Sequence, residues 1–470
     1  MKNIILTANG TQKADLVLKN ASIVNVFTES IEVGDVAITD GKIVGIGRYE
    51  GKIEKDMTGR FVCPGFIDGH IHLESSMVTP SEFARAVIAH GTTAVITDPH
   101  EIANVAGCDG ITYMMQATKD LSLDVFFMVP SCVPATDLDE SGACLNADDI
   151  TPFYNDRRVL GLAEMMNAFG VNQADGSVLS KIKTTLEHDR IIDGHAPLLT
   201  GKELNTYTAA GIRSDHECSN IAEAKEKLSR GQWIMIREGT AAKNLQELMP
   251  LFEAPYYNRI LLVTDDKHPL DLLNDGHIDA IIRKAVHLGA DPIRAIKAGS
   301  LNAATYFGLR DTGAIAPGYD ADIVVLNDLT DLHVQEVYKQ GTLISERGQI
   351  TTAVNSNTDS IPERVIHSFH VEKITPAQLV IPKQGEHIRV IELHAGELLT
   401  SERTASWNTD TSAKDWADGI NPDDDIIKIV AIERHKNTGH LGKGFLGGYG
   451  LKKGAVATSI GHDSHNLVVA

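Results

Sequence analysis

The sequence predicts an α/β protein built around a (β/α)8, TIM-like barrel, with a small β-sandwich domain assembled from the two flanks of the barrel and an α+β domain at the C-terminal end. Three observations lead there. Eight short apolar runs alternate with helix-length segments between residues 62 and 290, β-type runs stand on both sides of that block, and ionisable residues cluster at the C-terminal ends of the apolar runs.

The eight runs are 62–72 (VCPGFIDGHIH), 92–101, 123–132, 159–166 (VLGLAEMM), 190–195 (RIIDGH), 211–217 (GIRSDHE), 233–239 (WIMIREG) and 259–266 (RILLVTDD). Eight parallel strands are what a closed barrel requires. Helical patterning fills the gaps, for example 219–229 (SNIAEAKEKLS) and 278–288 (IDAIIRKAVHL). The flanking runs 15–26 and 36–47 carry the turn signals Gly34-Asp35 and Asp40-Gly41, and runs of the same character return after Gly318. The expected domains are a composite β domain from 1–62 and 318–365, a barrel from 63–317, and a C-terminal domain from 366–470. The polar stretch 354–361 (VNSNTDSI) reads as a linker.

With 43% hydrophobic and 23% charged residues the 470-residue chain has the composition of a folded globular protein. Its 43 Lys and Arg against 63 Asp and Glu give a formal charge of −20, which disfavours nucleic acid and anionic membrane as partners. Five scattered cysteines without a C-x-x-C pair argue against a disulfide framework and against a cysteine zinc site. No run of eighteen apolar residues occurs, and the first twenty residues lack an apolar stretch of signal-peptide length, so a reducing, cytoplasmic setting is expected. A homo-oligomer, most simply a dimer, is the expected assembly.

His70 and His72 stand two apart at a strand end and point to one side, so both can reach one cation. Glu164, His195, His216 and Asp265 end four further strand candidates. Each has an ordinary structural reading: a satisfied buried carboxylate for Glu164, a hydrogen-bonded loop histidine for His195 or His216, a helix cap for Asp265. Because barrel strands converge at one mouth, the four histidines and two carboxylates together point to a metal centre. His100 and Glu101 follow the second strand, and Arg237 and Glu238 end the seventh. They read either as an ion pair at the barrel rim or as groups for substrate recognition and proton transfer.

PGFIDGHIH, together with Glu164, His195, His216 and the TDD at 264–266, resembles the amidohydrolase superfamily. Longer stretches resemble its adenine deaminase family: HLESSMVTP (72–80), DPHEIANVAG (98–107), SCVPA (131–135), GLAEMMN (161–167), MIREGTAAKNL (235–245), GHIDAIIR (276–283), GFLGGYG (444–450) and IGHDSHN (460–466). The resemblance implies a binuclear divalent metal centre, with manganese or iron favoured and zinc compatible. His70 and His72 would hold one ion and His195 and His216 the other. Glu164 stands where many relatives have a carboxylated lysine, which points away from hydantoinase-like and dihydroorotase-like members.

The implied reaction is attack of metal-bound hydroxide on C6 of adenine, giving hypoxanthine and ammonia, with a small-molecule purine as substrate. Asp265, as ligand and base, and Glu101 would be catalytic. Arg237, Glu238, Ser131 and His100 would contact substrate. The alternatives are another amidohydrolase acting on a cyclic amide or imide, or a non-catalytic scaffold of the same fold. A cytidine-deaminase zinc site needs H-x-E with P-C-x-x-C, and the absence of that combination argues against it. The C-terminal domain, which in relatives continues past residue 470, would cover the barrel mouth with His462, Asp463, His465 or Asn466 near the substrate; a turn-rich surface is the alternative.

Overall fold

The protein is described from a computed structural model covering residues 1–351, 361–395, 399–407, 419–461 and 463–470. The linker expected at 354–361 lies, except for Ile361, outside the described residues. Contacts divide the chain into two compact units: Met1–Pro99, Thr112–Ser131 and Asn146–Ser360 form the first, and His100–Ile111, Cys132–Leu145 and Ile361–Ala470 the second.

In the first unit the chain runs through β1 (Ala14–Asn25), β2 (Ser30–Thr39), β3 (Lys42–Gly47), β4 (Gly51–Asp56) and β5 (Phe61–Pro64). The barrel strands follow: β6 (Phe66–Ile71), β7 (Thr92–Thr97), β8 (Asp124–Val129), β9 (Val159–Met165), β10 (Ile191–Gly194), β11 (Ser214–Asp215), β12 (Trp233–Arg237) and β13 (Ile260–Val263). The chain then returns through β14 (Ile323–Leu326), β15 (Val334–Lys339), β16 (Thr342–Glu346) and β17 (Gln349–Ile350). All eight expected barrel strands are present.

The first expected run divides in two. Its start is β5, antiparallel to β14, and its remainder is β6, parallel to β7. Gly65 marks the break, because a Cβ there would lie 2.2 Å from Thr93 Oγ1; only glycine lets the chain pass this close while changing sheets. Through β5 the two flanks join in one sheet of order β17-β16-β15-β14-β5-β1-β2-β3, with β4 on β1. Leu18, Ile23, Ile43, Val62, Ile323 and Tyr338 form its core.

The barrel strands pair in parallel as β10-β9-β8-β7-β6 and β11-β12-β13. The Asp265 N–H donates to the His70 carbonyl at 2.9 Å and the Arg213 N–H to the Ile192 carbonyl at 3.0 Å, which closes the ring at both junctions. Alternation sorts the side chains. Met235, Leu261 and Val263 turn into the barrel core beside Ile67, Ile96 and Met128. Ile234, Ile236, Ile260 and Leu262 face outward against Ile278, Ile282 and Ile296 of the surrounding helices. The helix Ile221–Ser229 starts where Asn220 accepts a hydrogen bond from the Glu223 N–H at 3.0 Å.

One partly buried lysine ties the composite sheet to the barrel. Lys339 Nζ lies 2.6 Å from both Asp124 Oδ2 and Asp322 Oδ2, with Asp322 almost fully enclosed. Removing the ammonium would leave a buried carboxylate uncompensated. Lys339→Met is therefore expected to lower unfolding stability by about 3–5 kcal/mol, read from denaturant unfolding curves; a loss under about 1 kcal/mol would place the pair in the range of solvated surface bridges.

In the second unit β18 (His387–Glu392), β19 (Ser401–Ser406), β20 (Ile427–Ile432), β21 (Leu441–Gly447), β22 (Ala457–Thr458) and β23 (Leu467–Val469) form a sheet of order β19-β18-β21-β20-β23-β22. Its core is small: Ile388, Val390, Ile426 and Phe445, with Trp407 packed against them. Among the described residues no helix is long and apolar enough to cross a membrane.

Candidate metal centre

Six expected residues converge at the C-terminal ends of β6, β9, β10, β11 and β13, and all but His195 are buried. His72 Nε2 lies 3.3 Å from Glu164 Oε1 and 3.0 Å from Asp265 Oδ1, while His70 Nε2 lies 3.8 Å from each of those oxygens. On the other side of Glu164, its Oε2 is 2.9 Å from His195 Nδ1 and 3.2 Å from His216 Nε2. Those two nitrogens are 3.2 Å apart. One oxygen of Glu164 thus faces each histidine pair.

Local structure sets each group. His70 is held by Asp68, whose Oδ1 accepts from the His70 N–H at 3.1 Å and the Thr264 N–H at 3.2 Å. Asp68 Oδ2 lies 2.9 Å from Nε2 of the buried His277. His72 Nδ1 is 2.9 Å from the Asp98 carbonyl, which turns Nε2 toward the cluster. The His195 N–H donates to the Tyr207 hydroxyl at 3.0 Å, and that hydroxyl donates to the Met165 carbonyl at 2.6 Å. Asp265 has φ +58°, a left-handed conformation that Asp tolerates better than most residues, and its carboxylate turns back into the cluster from just past β13.

The donor set fits a pair of divalent cations. A metal with ligands at about 2.1 Å places tetrahedral neighbours roughly 3.4 Å apart, and the distances above bracket that value. His70 Nε2 is buried and has no hydrogen-bond partner among the described residues. Glu164, Glu217 and Asp265 set three negative charges against the one positive charge of Arg237, a net −2 in a water-poor space, which is costly unless cations balance it.

The imidazoles respond accordingly. Burial pushes the His70 pKa well below its ordinary value, with His216 adding to the effect. At His216 burial also opposes protonation, yet its hydrogen bonds to Glu164 and Glu217 prevail and carry it up to about 10. A proton on His216 and a cation among the carboxylates supply the same missing positive charge.

Glu217 has no assigned role in the sequence reading, yet its Oε1 lies 3.3 Å from His216 Nε2 and 3.6 Å from His195 Nδ1. The His-Glu doublet ending the sixth strand was the available signal. Arg237 explains its position: the guanidinium donates to both Glu217 oxygens and, through the same nitrogen that meets Oε1, to Asp265 Oδ2. Burial disfavours charge on Asp265, but Arg237, His72 and His70 together outweigh it and hold the carboxyl well below its usual range. Arg237 is thus ion-paired with Glu217 and Asp265 within the cluster and not at the barrel rim.

Glu238 points away from the cluster; its oxygens accept from the Leu245 N–H at 3.1 Å and from Lys284. Ser131 Oγ donates to the Glu164 carbonyl at 2.6 Å and so steadies the backbone that carries Glu164. His100 and Glu101 belong to the second unit, opening the helix His100–Ala106. There Glu101 Oε2 is 3.2 Å from His465 Nε2, and His100 Nε2 is 3.8 Å from Asp463 Oδ1. Asn466 Nδ2 donates to the Glu140 carbonyl at 2.7 Å. His462 lies outside the described residues.

A parallel barrel whose strand ends gather four histidines around a shared carboxylate defines the metal-dependent hydrolases of the amidohydrolase type, and residues 61–344 match the Amidohydrolase family model. Among solved structures the chain is similar to an enamidase (TM-score 0.55, 15% identity, covering 71% of this chain and 96% of that one). It is also similar to a D-aminoacylase described as having a binuclear metal center (TM-score 0.56, 14% identity, 72% and 98%). At such identities these show the fold.

Residues 397–470 match the Adenine deaminase C-terminal domain. The chain is 47% identical to an adenine deaminase of Desulfatibacillum aliphaticivorans over 99% of its own length and 80% of the relative's. It is 46% identical to one of Dehalococcoides mccartyi (100% and 81%) and 44% to one of Geobacillus kaustophilus (100% and 81%). The chain belongs to the adenine deaminase family.

Proposed function

We propose that the chain hydrolyses adenine to hypoxanthine and ammonia at a binuclear centre bridged by Glu164. The observation that carries this reading is Glu164 set between two histidine pairs in a chain 44–47% identical, along nearly its whole length, to adenine deaminases. His70, His72 and Asp265 would hold one ion, and His195, His216 and Glu217 the other. The ions would supply the nucleophile, lowering the pKa of a water from about 15.7 to about 7.

The chain's own residues do the rest. Asp265, kept ionised by Arg237 at Oδ2, presents Oδ1 to accept the proton of the attacking water and pass it to the departing amino group. Water adds at C6, the C6–N bond breaks, and the nitrogen leaves as ammonia. Glu101 with His465, and His100 with Asp463, are paired acid–base groups that suit proton handling and purine contact. Imidazole and carboxylate ligands suit manganese or iron(II) as well as zinc, and the reading favours the first two. A reducing, cytoplasmic setting belongs to the same reading, supported by the five free cysteines, and a homodimer is its proposed assembly.

The test is ammonia release from adenine by the manganese- or iron-loaded protein, run beside cyclic amides and imides. Turnover of adenine alone is expected. Hydrolysis of a cyclic amide or imide with adenine untouched would overturn the assignment.

A further inference from the structure

Lys227 sits at the centre of a buried network that joins the loops carrying His195 and His216. It projects from the helix Ile221–Ser229 with a side chain that is 0% exposed. Its Nζ donates to Asp215 Oδ2 at 2.9 Å, Glu223 Oε1 at 2.6 Å and the Ala196 carbonyl at 2.6 Å. All three ammonium hydrogens are thereby used.

The acceptors are tied back to the chain in turn. Asp215 Oδ1 accepts from the Ala196 N–H at 2.7 Å, Glu223 Oε1 accepts from the Leu198 N–H at 2.8 Å, and the Cys218 thiol donates to Asp215 Oδ2 at 3.1 Å. Asp215, Cys218 and Glu223 by themselves have the makings of a cation site, and the ammonium of Lys227 fills it. Ala196 directly follows His195, and Asp215 directly precedes His216, so one ammonium holds the carbonyl next to the first histidine and the carboxylate next to the second.

We infer that Lys227 is a positioning residue that sets the 3.2 Å separation of His195 Nδ1 and His216 Nε2 and thereby the affinity of the second metal site. The inference rests on the binuclear reading above. A buried ion network is weak evidence for stability as such, because well-packed apolar side chains of similar volume often replace it without loss. What an apolar side chain cannot do is hold a carbonyl and two carboxylates from three segments at fixed points. Outer partners of metal ligands commonly tune affinity 10–100-fold.

The test is metal titration of the metal-free protein followed by calorimetry, with bound metal counted by elemental analysis. Wild type is expected to take two ions. Lys227→Met should retain the first, held by His70, His72 and Asp265, at wild-type affinity and weaken the second about 10–100-fold. Lys227→Arg should recover part of that loss. A lowered unfolding midpoint with both affinities unchanged, or equal weakening of both, would overturn the inference. If Lys227→Met does not fold, Glu223→Gln provides the same comparison: selective weakening of the second ion supports the role, and no change overturns it. Failure of wild type to take a second ion overturns the binuclear reading, and the inference with it, before any variant is compared.

Discussion

Glu164→Gln is expected to lose most of its bound metal and to release ammonia from adenine more than about 100-fold more slowly than wild type, beyond what loss of an outer-shell partner alone costs. The amide keeps the shape of the side chain but presents only one acceptor oxygen. Glu164 now directs one oxygen to His72 at 3.3 Å and the other to His195 at 2.9 Å. A neutral glutamine would also remove one of the three negative charges that draw cations into this enclosed space. Elemental analysis and turnover measured on the same preparation read both effects. A variant with two metals per chain and full activity would remove Glu164 from the centre.

Asp265→Asn has the second large expected effect, and it separates proton transfer from metal binding. Four histidines, Glu164 and Glu217 remain as ligands, so metal should stay bound, while turnover falls by about 10²–10⁴-fold, the usual contribution of a positioned acid–base group. Asparagine also tolerates the left-handed backbone at this position, so strain should not confuse the result. Asp266→Asn should be milder: Asp266 turns the other way and accepts a hydrogen bond from Ser75 Oγ. Steady-state kinetics with metal counts give the comparison. The reverse order of effects would assign the proton to Asp266.

The candidate centre was legible in the sequence because its histidines and carboxylates end apolar strand runs, and a parallel barrel brings strand ends to one mouth. The strand positions could be read for the same reason. Gly65 was less obvious: nothing local says that the run 62–72 changes sheets, and the cause is the nearness of Thr93, a contact across the fold. Glu217 and Arg237 were obscured for a similar reason. Their mutual ion pair crosses from the sixth strand to the seventh, and sequence spacing does not reveal which of Arg237 and Glu238 turns inward; alternation required that one of them leave the cluster. Lys227, twelve residues from Asp215, reads as one more charge on an exposed helix until its enclosure is seen. The grouping of 100–111 and 132–145 with 361–470 depends wholly on long-range contacts and has no local signature.

On the proposed reading this chain deaminates adenine with two metal ions held around Glu164. The most direct measurement is to strip the protein with a chelator and follow ammonia release from adenine while manganese or iron(II) is added back in known equivalents. No turnover is expected without metal, followed by a rise that saturates near two equivalents per chain. Full adenine turnover by metal-free protein, or fully loaded protein that leaves adenine unchanged, would contradict it.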